Sequence, residues 1–224
     1  MKVYYHPAST TSRVIMLYAG EEVPDLAFQV VDIFSGEHLQ PAYTAINPSC
    51  MVPMLEDRDF RLTESSAILK YLADKSNSPS YPTDLRARAR VNEMMDWINT
   101  NFYRDFAYGL VYPQAFPTHL RRSEEAQAAT LAWAQERSRT WLKILDQGLI
   151  GPDKQYLCGD AITIADYLGA EMIGVGELIG CDFSAYPNVD RWLRNMKALK
   201  SWPKVHDVFH GFAASLKERS FVTI

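Results

Sequence analysis

Two short stretches, Met51-Val52-Pro53 and Leu62-Thr63-Glu64-Ser65-Ser66, carry residue types that suit the capture of a small acidic peptide. Proline lacks the N–H that a sheet ladder needs, so Pro53 closes its apolar run at a strand start or a turn, where an X-Pro bond has access to the cis form. The second stretch is a Thr/Glu/Ser opening that leads into Ala67-Ile68-Leu69-Lys70-Tyr71-Leu72, the pattern of a helix start. The first N–H groups of a helix are unpaired and sit at the positive end of its dipole, so they accept an anion. A bent backbone edge beside such a helix start is an arrangement that holds a small acidic peptide.

The elements that must position these stretches divide the chain in two. Over residues 1–77, strand-like and helix-like segments alternate. Val3–His6 and Ala27–Ile33 are short and rich in β-formers, Arg13–Ala19 is helical with an expected end near Gly20, and Gly36–Ile46 is a weak helix or irregular. Val52–Glu56 and Phe60–Leu62 form a hairpin across Asp57-Arg58-Asp59, and Glu64–Lys75 closes the unit as a helix. This order gives a small α/β layer. Ser76-Asn77-Ser78-Pro79-Ser80-Tyr81-Pro82-Thr83 breaks both periodicities and places a linker at 78–85. Residues 86–224 are all-helical. Val91, Met94, Met95, Ile98, Phe102 and Phe106 recur at helical spacing until Pro113, and Ser123-Glu124-Glu125 opens another helix. Thr163-Ile164-Ala165-Asp166 is a capping-box-like start, and further helices open near Pro187 and Pro203.

Composition sets the limits. A chain of 224 residues with 47% hydrophobic and 22% charged residues is ordinary for a globular protein. A net charge of −4 argues against binding driven by nucleic-acid phosphates. No apolar run approaches the ~20 residues of a membrane span, and Met1–Pro7 has no apolar core of a signal peptide. The three cysteines, Cys50, Cys158 and Cys181, are odd in number and far apart, which suits a reducing cytoplasm and gives neither a disulfide framework nor a metal-ligand pattern.

Asn47-Pro48, Val52-Pro53, Leu55-Glu56-Asp57, Thr63-Glu64-Ser65 with Ala67–Leu72, and Ile162–Asp166 occur in one order along one chain. In that order and spacing the sequence resembles the cytosolic glutathione transferases over nearly its whole length. The resemblance implies an α/β thioredoxin-like N-terminal domain, an all-α C-terminal domain with an electrophile pocket, and a two-fold homodimer. Ser9-Thr10-Thr11-Ser12-Arg13 and Gly36-Glu37-His38-Leu39 are most similar to the theta-like, serine-type bacterial branch. The tyrosine-type classes would put tyrosine at Pro7, and residues 1–49 contain no cysteine for the cysteine-type classes.

What the resemblance implies for the residues follows. Ser9 is the catalytic hydroxyl; read without the resemblance it is a helix N-cap, with Thr10, Thr11 and Ser12 as competing hydroxyls. Its chemistry is to donate a hydrogen bond to the glutathione sulfur, a charge-assisted bond worth ~1–3 kcal/mol that favours the thiolate of a thiol whose free pKa is ~8.5. Val52, before Pro53, pairs with the cysteinyl backbone, and Glu64 and Ser65 take the γ-glutamyl ammonium and carboxylate. His38 meets the glycine carboxylate. Met51 stands where relatives often carry a basic residue. Asn101 lies where some relatives reach the neighbouring subunit's glutathione, and Phe106, Tyr108 and Tyr112 line the electrophile pocket. Glutathione enters as co-substrate, with no metal, nucleic acid or membrane as partner. The implied activity is conjugation of the glutathione thiolate to small apolar electrophiles in detoxification, with peroxide reduction also open. The alternatives are a non-catalytic glutathione-binding or regulatory member of the fold, a thiol oxidoreductase (which lacks its cysteine near residue 9), and a maleyl-type isomerase, for which Ser9–Ser12 is a poor match.

Overall fold

The computed structural model describes all 224 residues. The first half is built on a four-stranded sheet in the order β2-β1-β3-β4, from β1 (Lys2–Tyr5), β2 (Ala27–Val30), β3 (Met54–Asp57) and β4 (Phe60–Leu62). β1 and β2 are parallel and joined by helix α1 (Thr10–Glu22); β3 runs antiparallel to β1 and forms a hairpin with β4. Alternation along β1 and β3 decides what each face carries. Val3 and Leu55 join the main core beneath α1 and α3 (Ser65–Ser76), while Tyr4 and Met54 turn to a second cluster with Val31, Tyr43 and Val52. Tyr43 comes from the short helix α2 (Pro41–Thr44), which follows a 3₁₀ turn at Glu37–Leu39.

The second half is helical: α4 (Leu85–Trp97), α5 (Tyr112–Ala115), α6 (Glu124–Ile144), α7 (Ile164–Gly174), α8 (Pro187–Lys197) and α9 (Trp202–Ser215). No helix is long and apolar enough to cross a membrane. α7 has all eleven residues buried, because α1, α3, α4 and α8 pack around it. Arg88 ties α4 to the first half by donating to Pro82 O and to Asp74, with its guanidinium 4.2 Å from the Tyr81 ring.

The elements differ from the sequence expectations at definite places. α1 runs through Gly20 to Glu22; Gly20 is a site of close approach, where a Cβ would collide with the Ser201 side chain, and it does not end the helix. The second strand stops at Val30 because Asp32 Oδ1 accepts from the N–H groups of Phe34 and Ser35 and turns the chain. The third strand starts at Met54, since Pro53 has no N–H and the Val52 carbonyl is turned to Thr11. Pro113 does not interrupt the long helical run: it opens α5, after α4 has continued through π-helical turns at Ile98–Tyr103 and Phe106–Val111.

The Thr163–Asp166 capping box is present, with Asp166 Oδ2 accepting from Thr163 N–H at 2.7 Å. Asp166 does more than cap. Its buried carboxylate also accepts from Thr163 Oγ1, Leu157 N–H and the Trp192 indole, so it gathers the loop before α7 and the core of α8. Removing the carboxylate strands several buried donors at once, each costing ~1–3 kcal/mol. Asp166→Ala is expected to lower unfolding free energy by at least ~3 kcal/mol, read as a lower urea midpoint with unchanged slope.

Candidate active site

The start of α1 carries a set of linked hydroxyls. Ser9 is the N-cap, with extended backbone dihedrals, and its Oγ accepts from Ser12 N–H at 3.3 Å. The cap uses a lone pair and leaves the Ser9 proton to donate, so capping and catalysis do not compete. Ser9 Oγ lies 3.1 Å from Thr11 Oγ1, which donates to Val52 O at 3.0 Å. On the buried side, Tyr112 donates to Thr10 Oγ1 at 3.1 Å and pairs with Tyr103 at 2.5 Å. Burial raises the pKa of both phenols, so they remain protonated.

A cleft of about 300 Å³ opens beside these hydroxyls, bordered by Thr11, Asn47, Met51–Pro53, Glu64, Ser65, Asn99, Tyr103 and Tyr108. Its floor is the turn before β3, which contains a cis Val52-Pro53 bond. Met51 O accepts from Tyr43 OH at 2.6 Å and Asn47 Nδ2 at 2.7 Å, and Val52 O accepts from Thr11. The Val52 N–H has no acceptor within the chain, so it is open for pairing with an extended peptide.

The wall opposite is the N-terminus of α3. Glu64 occupies the N-cap at φ 64° and ψ 116°, a conformation costing ~1–3 kcal/mol for a residue with a Cβ, and its side chain makes no capping bond. Ser65 is buried at the first helical position. Neither residue spends its polar groups on capping α3, which leaves the helix N–H groups and the Glu64 carboxylate facing the cleft. Burial and the nearby Glu64 carboxylate raise the Tyr108 pKa across the cleft.

Thus Thr11, Met51, Val52, Pro53, Glu64, Ser65 and Tyr108 border one cleft. The other expected residues lie outside that border. Ser9 is half-buried behind Thr11 and linked to it. His38, on the 3₁₀ turn, has a buried Nδ1 without a partner. Asn101 is half-buried on the π-helical turn, where Asn99 takes the cleft-facing place. Phe106 is fully buried in the helical core, so tightly that a Cβ on Gly176 would come within 2.7 Å of its ring. Tyr112 is buried and contributes its hydroxyl. Cys50 sits at φ 55° beside the turn, its Sγ 3.5 Å from Pro48 O.

An aromatic arc continues from Tyr108 and Tyr112, and its extension to Phe212, Phe34 and His6 was not anticipated from the sequence. Its rings are Tyr112, Phe116, Phe212, Phe34 and His6, each within about 6 Å of the next. Phe34 is 59% exposed and Tyr108 is 41% exposed, so the arc presents apolar surface near the α1 start.

Beneath the hydroxyls lies Arg13, at 0% exposure. Its Nη1 donates to Ala8 O at 2.9 Å, the peptide preceding Ser9, and its Nε donates to Glu171 Oε2 at 2.8 Å. The guanidinium is 3.8 Å from the Phe209 ring centroid. Glu171 Oε1 is 3.0 Å from His206 Nε2, while His206 Nδ1 is 2.9 Å from Trp202 O. Both His206 contacts are hydrogen bonds only when the imidazole carries both protons. This network joins α1, α7 and α9. Its sequence signals were single charges inside apolar helical runs, Arg13-Val14-Ile15 and Ala170-Glu171-Met172.

Comparison with known proteins agrees with this geometry. The family described as "Glutathione S-transferase, N-terminal domain" matches residues 1–74, and "Glutathione S-transferase, C-terminal domain" matches residues 103–200. Human glutathione S-transferase theta-1 is 32% identical over 206 residues, covering 88% of this chain and 82% of the human protein. A delta-class glutathione transferase structure from Nilaparvata lugens superposes with a TM-score of 0.80 at 30% identity, covering 97% of this chain and 98% of that one. Human glutathione transferase theta-2, in complex with glutathione and an unknown ligand, shares the fold with a TM-score of 0.82 at 24% identity, covering 100% of this chain and 93% of that one.

Burial alone drives the Glu171 carboxyl upward; Arg13 and His206 overcome this and hold it below its usual range. A depressed folded-state pKa contributes stability that is complete above the unfolded value of ~4.3 and is lost as pH falls through the folded value. Glu171→Gln is expected to cost ~3–5 kcal/mol at pH ~7 by leaving Arg13 uncompensated. It should also flatten the loss of stability below pH ~4.3. Denaturant titrations of both proteins across that range check the two outcomes together.

Proposed function

We propose a mechanism on the premise that this chain belongs to the glutathione S-transferase family and is a glutathione transferase. The observation that carries it is the meeting of an open Val52 N–H, an uncapped α3 N-terminus and the α1 hydroxyls at one cleft. Glutathione lies extended across the turn. Its cysteinyl backbone pairs with Val52, adding a strand to the exposed edge that Pro53 leaves open. The γ-glutamyl carboxylate meets Ser65 and the α3 N–H groups, and its ammonium meets Glu64. His38 takes the glycine carboxylate, a contact to which the neutral Met51 adds no charge.

The thiol proton leaves to water, and the Ser9 hydroxyl stabilises the thiolate at the positive end of α1. The thiolate attacks an electrophilic carbon. In substitution, a C–S bond forms and a halide departs with the bonding pair. In addition to an activated alkene, the C–S bond forms and the adjacent carbon takes a proton from water. Peroxide reduction uses the same thiolate: two glutathiones become the disulfide as the hydroperoxide becomes alcohol and water. Tyr108 borders the electrophile, Tyr112 supports the wall through its hydroxyl, and the aromatic arc extends it. Phe106 acts from behind, by packing. The reading extends to a serine-type, detoxifying homodimer in a reducing cytoplasm, which three free cysteines suit, with Asn101 turned to the partner's site.

Ser9→Ala is expected to lower kcat/KM for glutathione with a generic aryl halide at least ~10-fold, equivalent to ~1.4 kcal/mol of transition-state stabilisation. An unchanged value removes Ser9 from the mechanism. Glu64→Gln is expected to raise KM for glutathione ~10-fold with kcat nearly constant, because the ammonium contact is the same in ground and transition states. A matching fall in kcat would contradict that placement.

A further inference from the structure

The hydroxyl that borders the cleft is Thr11, and its bonds are specific enough to assign protons. Thr11 has one proton, which it gives to Val52 O at 3.0 Å. It therefore accepts at the 3.1 Å contact, and Ser9 is the donor there. Ser9 Oγ in turn accepts from Ser12 N–H. The protons run in one direction, from the α1 backbone through Ser9 and Thr11 to the carbonyl of the residue that offers its open N–H to a peptide.

We propose that Thr11 is the residue that bonds the thiolate, turning its proton from Val52 O to the sulfur when glutathione docks, so that Ser9 stabilises the thiolate through Thr11 and the two act as one donor unit. The inference rests on the reading of the cleft as a glutathione site. Three physical points support it. A cysteinyl residue paired with Val52 brings its side chain to the neighbourhood of the oxygen that already touches the Val52 carbonyl. A hydrogen bond to an anion is about twice as strong as one to a neutral amide oxygen, so the thiolate outcompetes Val52 O for the proton. Each donor in a chain polarises the next, so Ser9 donating to Thr11 strengthens the Thr11 bond to sulfur. The thiol proton itself goes to water; neither hydroxyl is deprotonated.

The test is titration of the bound glutathione thiol by its ultraviolet thiolate band, in the full-length protein saturated with glutathione. Wild type is compared with Thr11→Val, Thr11→Ser, Ser9→Ala and the Ser9→Ala/Thr11→Val double variant. Thr11→Val is expected to reduce the thiolate fraction below the bound pKa by roughly 10-fold, one pKa unit. Thr11→Ser should restore it. The double variant should lose less than the product of the single losses. If Thr11 merely braces Val52, Thr11→Val changes glutathione affinity and leaves the titration where wild type has it; that result overturns the proposal and spares Ser9. A shift in Ser9→Ala alone has the same meaning. A shift in Thr11→Val alone supports Thr11 as donor and removes Ser9. Independent, fully multiplicative losses overturn the single-unit claim. Failure of wild type to bind glutathione would instead defeat the reading on which the proposal rests. Should Thr11→Val not fold, Thr11→Ala and Thr11→Ser carry the same comparison.

Discussion

A guanidinium with no exposure must have its charge answered inside the protein, and at Arg13 that requirement joins the two halves of the chain. The answer comes from Glu171 on α7, from Ala8 O in the loop before Ser9, and from the Phe209 face on α9. Removing one member of such a set leaves a buried charge, at a cost of ~3–5 kcal/mol, which is more than the pair gains over a well-packed apolar substitute. Its consequence is therefore geometric. Arg13 fixes the peptide that precedes Ser9, and it does so against a helix of the other half. The position of the cleft hydroxyls is thereby set by the packing of α1 on α7.

The cleft is assembled from backbone groups that the fold leaves open. Val52 N–H has no partner, α3 begins without a side-chain cap, and Glu64 holds a conformation that costs energy. Each of these is unfavourable in isolation. They persist because neighbouring contacts hold the segments from outside the cleft: Tyr43 and Asn47 bind Met51 O, and the hairpin β3–β4 leads directly into α3. The helical half supplies the stiffness behind this arrangement, through the Asp166 carboxylate and the packing around α7.

Local backbone chemistry was readable in the sequence, and this covers most of the backbone that borders the cleft. Pro53 announces a turn, Thr63-Glu64-Ser65 announces a helix start, and Thr163–Asp166 announces a cap, because each signal acts within a few residues. Two kinds of feature were not readable. Arg13 and Glu171 are 158 positions apart, and nothing in either segment names the other. The faces of the α4–α5 run were also hidden. Its π-helical turns close i to i+5 bonds and rotate the following side chains away from a 3.6-residue wheel. Asn99 faces the cleft, and Phe106 falls in the core while Tyr108 emerges. Gly20 misled for a related reason: a glycine required by close packing against Ser201 looks, in sequence, like one that ends a helix.

On the proposed reading the cleft attracts an anionic tripeptide to a protein of net charge −4, so long-range attraction is not available to it. The attraction is local instead. The start of α3 presents unpaired N–H groups at a carboxylate site, and α1 directs its positive end toward the linked hydroxyls. Such partial charges fall off within a turn of helix, so they act on the ligand only after it has met the Val52 edge. On the proposed reading, main-chain pairing sets the register, Glu64 and Ser65 fix one end, and the sulfur is left where the hydroxyls converge. The aromatic arc beyond it carries no comparable charge. On the same reading, the contacts to glutathione within one subunit come from the first half of the chain, while the apolar wall supplied largely by the second half is free to vary with the electrophile.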